Sequence, residues 1–348
     1  MMESLEELFA RARRNEEISR NLFEIEVAIL NIASTQAFFE HLVKQVGKKF
    51  GVTCVSLTLI NNPANETLIQ ALRKSETLEG HWSVVPNVDF LAATQGERKP
   101  LLLQHPGKPQ LNLLPFSDRP NTGSLAILPL QMEGRLAGSM NLADVDSERY
   151  SPDMDSFFLY QLSVKASLCL SAVVARERAD FLATRDPLTR LRNRRELEDT
   201  LEREISRVIR HGNPLSLAFV DCDDFKQVND RFGHDVGDKY LQHMARCLED
   251  VIRKTDVAFR FAGDEFVILL PDQNREGAQF TAERLQAYLY SHPLMIGDIP
   301  IALKASIGVA CSSELAQVTA RALLKQADQA LYQNKKLKHF RFPVPENV

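Results

Sequence analysis

RFAGDEFVILLP (residues 260–271) sets two adjacent carboxylates, Asp264 and Glu265, between two short apolar runs. The flanking VAFRF and FVILL carry the β-branched and aromatic residues of strands, and AGDE between them reads as a hairpin turn. Upstream, LSLAFV (215–220) is a further strand and ends in DCDD (221–224). GDKYLQHMARCLEDVIR (237–253) stacks Leu241, Met244, Leu248 and Ile252 on one helical face. Helix EGAQFTAERLQAYLY, strand IALKASIGVA and helix TARALLKQADQALYQNKK follow the hairpin. Ahead of all these, Asn193 and Glu196 have the N-x-x-E spacing of a capping box and open a helix to about Arg210. After that helix the order is β-α-β-β-α-β plus a final helix, a ferredoxin-like or palm arrangement.

With 348 residues the chain has room for two domains and a connector. Its net charge of −4 lacks the basic excess of a nucleic-acid-binding protein, so no nucleic acid is expected as a partner. No run of apolar residues approaches the ~20 that a membrane span needs, and the start has no secretory apolar segment. Five scattered cysteines without a CxxC pair argue for free thiols in a reducing cytoplasm.

The first zone is also α+β. Helical spacing at Ile18, Leu22, Ile25 and Ile29 leads into the strand GVTCVSLTLI. Residues 86–124 carry six prolines and read as a long irregular segment, the kind that forms binding loops or lids. SLAILPLQMEGRLAGSMNLA is a hairpin about Gly134. Ser151-Pro152-Asp153 then supplies helix-start chemistry. Leu159, Leu162, Ala166, Cys169 and Val173 follow the 3–4 spacing of a coiled-coil seam. Either this helix packs on its own domain, or it pairs two protomers. The expected layout is thus 1–155, a connecting helix at 156–184, and 185–348.

Alternation along a strand puts Asp221 and Asp223 on one face and turns Cys222 away. If the hairpin turn lies beside that strand end, two acidic clusters form a hard-oxygen pocket suited to Mg²⁺ with substrate phosphates. Taken singly, turn carboxylates are mostly solvent-facing and DCDD equally suits a helix start.

Four motifs in order resemble the GGDEF family of diguanylate cyclases: DPLTRLRNRRELE (186–198), VDCDDFKQVNDRFGHDVGDKYL (220–241), RFAGDEF (260–266) and ADQALYQNKK (327–336). The resemblance covers roughly 185–340. It implies Mg²⁺ (or Mn²⁺) held by Asp221, Asp264 and the backbone carbonyl of Cys222, with Asp264 also helping to deprotonate a 3′-hydroxyl and Glu265 supporting the metal site. Asn229 and Asp238 would read the guanine edge. Lys226 and Lys335 would neutralise phosphate charge, and Asp224, Phe225, His234 and His339 complete the implied substrate-binding set. Two GTP-loaded domains of a cytoplasmic homodimer would face each other to make cyclic di-GMP. Arg253 and Asp256 match the family's RxxD site for product inhibition. Ala262 replaces the expected first glycine, and Lys338-His339-Phe340 departs from the usual end. Those departures sustain an alternative: a degenerate domain that only binds GTP or cyclic di-GMP. Residues 20–175 resemble a GAF sensory domain, with an unknown small ligand or none. His81, Trp82 and Cys54 there suit surface or packing roles.

Overall fold

Two units, Met1–Ala179 and Asp180–Val348, fold around separate cores in a computed structural model that describes residues 5–341. In the first, α1 (Leu5–Leu30) and α2 (Thr35–Phe50) precede β1 (Cys54–Asn61), α3 (Glu66–Arg73) and β2 (Trp82–Pro86). Then come α4 (Asn87–Thr94), β3 (Leu101–Gln104), α5 (Lys108–Leu111), β4 (Ser124–Met132), β5 (Arg135–Asp144) and α6 (Phe157–Thr184). The sheet order is β2-β1-β5-β4-β3, antiparallel except for the parallel β1–β2 pair. Apolar side chains of α1, α2, α3 and α6 cover one face. The other face lies under α4, α5 and the segment around Leu113 and Leu114. The β4–β5 hairpin turns on Glu133 and Gly134, both at positive φ, which suits a tight two-residue turn.

Two expectations change here, and one open alternative is decided. Residues 86–124 are not one irregular stretch but hold α4, β3 and α5; their prolines sit at or near element ends, where a missing N–H does little harm. The helix after Ser151 begins at Phe157, because Ser151–Met154 closes a turn of its own and Asp155 accepts from the Phe157 N–H. The 3–4 seam is spent inside the domain: Leu162, Ala166, Cys169 and Val173 are buried in the first core with Leu159 packed against it. It is therefore not free for a partner. By length and composition alone α6 is also apolar enough to cross a membrane, which a search for unbroken apolar runs overlooks.

The second unit contains α7 (Arg194–His211), β6 (Leu215–Cys222), α8 (Phe225–Phe232), α9 (His234–Val251), β7 (Val257–Ala262) and β8 (Glu265–Pro271). It continues with α10 (Arg275–Ser291), the ribbon β9–β10 (Leu294–Ile296, Ile299–Ile301), β11 (Ala305–Cys311) and α11 (Ala320–Arg341). Asn193 caps α7 by accepting from the Glu196 N–H (3.0 Å), as its spacing predicts. The four-stranded sheet runs β11-β6-β8-β7, every neighbour antiparallel. Helices α9 and α10 fill one face, α7 and α11 the other. IALKASIGVA is two strands rather than one. The break at 302–304 lets the Lys304 carbonyl accept from the Asp223 N–H (3.0 Å) and its N–H donate to Tyr240 Oη (3.2 Å). Gly308 admits α11 against β11: a Cβ there would stand 2.1 Å from the Leu331 nitrogen. Lys335, one turn beyond Leu331, is thereby brought to the end of β6.

Candidate active site

The adjacent strand ends of β6 and β8 build the site. Asp221 pairs in register with Glu265, and the Cys222 N–H donates to the Asp264 carbonyl (3.2 Å). Gly263 takes the positive φ (46°) that the turn requires. Ala262 does not have positive φ and is exposed, so its methyl group imposes no backbone strain. Cys222 points into the α9–α10 core at 2% exposure, leaving its backbone at the site. Asp221 and Asp223 line the same cavity, as alternation predicts.

Lys335 Nζ lies 2.6 Å from Asp221 Oδ1. Even so, burial pushes the Asp221 carboxyl above its ordinary range, and neighbouring Asp264 and Asp223 add to the shift against the pull of Lys335. Burial first, then Asp221 and Asp264, raises Glu265 as well. Both carboxyls are thus harder to ionise than free ones, burial being the first cause. Among the described residues no three His, Cys, Asp or Glu side chains converge as a self-sufficient metal cluster. The carboxylates gathered here, Asp221 and Asp264, are the hard oxygen donors that a divalent ion takes.

A cavity of about 820 Å³ opens beside these groups. Asp221, Asp224, Phe225, Lys226, Asp264 and Lys335, all expected from sequence, line it. Tyr290, Lys304 and Ser306 also line it and carry no motif that would have announced them. Ser306 Oγ donates to Asp223 Oδ1 (2.6 Å).

Asn229 and Asp238 fall on the α8–α9 pair, outside that lining. Gly237, the residue before Asp238, admits the Asn229 side chain: a Cβ on Gly237 would meet Asn229 Oδ1 at 1.9 Å. His234 is exposed at the start of α9 and does not line the cavity. The side chain of His339, with Lys338 and Phe340, lies outside the described residues. Arg253 and Asp256 precede β7 at the end opposite the turn, about 20 Å away along the strand. Arg253 is exposed, whereas Asp256 is buried, accepting from the Arg253 N–H (3.0 Å) and from Gln273 Nε2 (3.2 and 3.3 Å).

Arg260 is the residue whose role sequence reading missed although it stands inside the motif. Its Nε and Nη2 donate to the Gly263 carbonyl (3.0 and 2.8 Å) and its Nη1 to Asp186 Oδ1 (2.9 Å).

Comparison with known proteins bears on the family of each unit. Residues 183–340 match the family model described as "Diguanylate cyclase, GGDEF domain", and this part of the chain belongs to that family. Residues 1–170 match a family of unknown function, DUF484, so the GAF-like expectation for the first unit is not confirmed. Diguanylate cyclase DgcP of Pseudomonas aeruginosa is 39% identical over 47% of this chain and 24% of its own length. Response regulator PleD of Caulobacter vibrioides is 36% identical over 44% of this chain and 34% of its own. The chain therefore spans only a quarter to a third of these relatives. A solved structure of the coiled coil and GGDEF domain of DgcB from Caulobacter crescentus, in complex with c-di-GMP, is 29% identical with a TM-score of 0.44, covering 50% of this chain and 95% of that one.

Proposed function

We propose that the protein is a diguanylate cyclase: two copies, each holding one GTP, condense them into cyclic di-GMP and release two pyrophosphates. The observation that carries this reading is the joining of Asp221 and Asp264 across β6 and β8, against Lys335 and beside a cavity that Lys226 also lines. Mg²⁺ (or Mn²⁺) is the fitting ion. When bound, it neutralises phosphate charge and activates the attacking hydroxyl.

The chain's own residues do the rest. Asp221, Asp264 and the Cys222 carbonyl supply oxygen ligands. Asp264 also takes the proton of the 3′-hydroxyl, while Lys226 and Lys335 hold phosphate oxygens as point charges. Asn229 and Asp238 offer an amide and a carboxylate to the acceptor and donor edge of guanine. Because one domain binds one nucleotide and the product contains two, a homodimer completes the reaction. Arg253, with Asp256, serves as a separate product site, and the first unit acts as sensor. GTP as substrate puts the reaction in the cytoplasm.

The test is to strip the purified protein of nucleotide, incubate it with GTP and Mg²⁺, and identify products by chromatography and mass. Cyclic di-GMP that vanishes in Asp264→Ala is expected. GTP left unconverted by the stripped protein would overturn the enzymatic reading.

A further inference from the structure

The end of β6 has a neighbour on each side. Successive N–H groups of a strand point to opposite edges. That of Cys222 donates to the Asp264 carbonyl on the β8 side, and that of Asp223 to the Lys304 carbonyl on the β11 side (3.0 Å). Paired strands lie about 4.8 Å apart, so Asp264 and Lys304 stand roughly 10 Å apart across β6. Lys304 is fixed at both backbone groups, since its own N–H donates to the hydroxyl of buried Tyr240 (3.2 Å). Leu303 and Ala305, on either side of it, are buried in the α9–α10 core. Lys304 itself is exposed and lines the cavity, and its ammonium has no ion pair or hydrogen bond among the described residues. Lys335, by contrast, spends its charge on Asp221, and Ser306 donates to Asp223.

An ammonium held at the rim of an acidic site without a carboxylate partner is available to an anionic ligand. Lysine meets phosphate as such a point charge. We infer that Lys304 holds the terminal phosphate of the bound nucleotide and, after transfer, the far end of the released pyrophosphate. This takes from the proposed reaction only that a nucleoside triphosphate occupies the cavity. On that reading the attacked phosphate lies at Asp221 and Asp264, and the phosphates beyond it need cations of their own. Among the described residues, Lys226 on α8 and Lys304 ahead of β11 are the cavity lysines without a carboxylate partner. Lys304 lies across β6 from Asp264, so it meets the phosphate farthest from the attacked one. A terminal phosphate carries close to two negative charges at neutral pH. It is also the group that GTP has and GDP lacks, so Lys304 favours the triphosphate.

Calorimetric binding of pyrophosphate and of GDP, each with Mg²⁺, to the nucleotide-stripped full-length protein tests this. Lys304→Gln should weaken pyrophosphate binding about tenfold, the value of one charge-assisted hydrogen bond, and GDP binding by less than about threefold. Lys304→Arg, which keeps the charge, should restore pyrophosphate binding. Equal pyrophosphate affinity in wild type and Lys304→Gln would overturn the inference, as would a loss just as large for GDP or a wild type that binds no pyrophosphate. Product formation from GTP in the same preparations separates the two readings. Cyclic di-GMP made by a protein whose pyrophosphate affinity ignores Lys304 would sink this inference alone. Pyrophosphate held through Lys304 in a protein that leaves GTP unconverted would support it and overturn the cyclase.

Discussion

Arg260 joins Asp186, 74 residues away, to the carbonyl of Gly263 in the catalytic turn. Both side chains are largely buried, at 15% and 18% exposure, so neither partner tolerates loss of the other. Arg260→Ala should destabilise the second unit by about 3 kcal/mol and lower activity further than unfolding alone explains, because the turn loses its brace. Denaturant melts and the activity of the still-folded fraction check this.

The same pair sets an acid limit. Burial pulls the Asp186 carboxyl up, but donors from the Thr189 N–H and hydroxyl and from Arg260 outweigh it, and the net shift is downward. A depressed carboxylate contributes stability that is present above the unfolded value of about 3.9 and lost as pH falls through the lower folded value. Wild type should lose stability below about pH 4, and Asp186→Asn should flatten that part of the curve while starting lower at neutral pH. Melts from pH 2 to 7 would show both.

Gly237→Ala tests the α8–α9 contact. The added methyl group displaces Asn229, costing about 1–3 kcal/mol through overpacking. It should raise KM for GTP more than it lowers kcat. An unchanged KM in the folded variant would remove Asn229 from guanine recognition.

Arg253 and Asp256 should separate. Arg253→Ala, at an exposed position, should leave stability within about 0.5 kcal/mol and abolish inhibition by added cyclic di-GMP. Asp256→Asn puts a donor NH2 where a carboxylate oxygen accepts from the Arg253 N–H or Gln273 Nε2, and should cost about 1–3 kcal/mol. Its effect on inhibition is then read only in protein shown to be folded.

Ala262→Gly asks whether the missing glycine matters. With no positive φ to relieve, glycine in the strand should cost about 0.5–1 kcal/mol. The rate should change by less than about threefold, or ~0.7 kcal/mol of barrier. A large gain would show that the methyl group obstructs substrate.

The second unit was legible from sequence because clear strand patterns run directly into acidic clusters. DCDD closes β6 and AGDE joins β7 to β8, so locating the strands nearly located the site. Gly237, Gly308 and Ser306 stayed hidden, since their effect arises where two elements distant in sequence touch. Arg260 was in plain view, but its partner Asp186 becomes visible only once β7 has folded back. In the first unit the seam spacing of α6 was read correctly, yet spacing cannot say whether the partner is another chain or the domain's own core.

The Cys222 N–H bond holds the Asp264 carbonyl through main chain, with no part played by the Asp264 carboxylate. Chemistry and architecture are therefore separable at this position. On the proposed reading, Asp264→Ala would delete the acid while the loop keeps its course, giving a silent domain with an intact shape. A domain silenced in this way would keep its surface outside the turn.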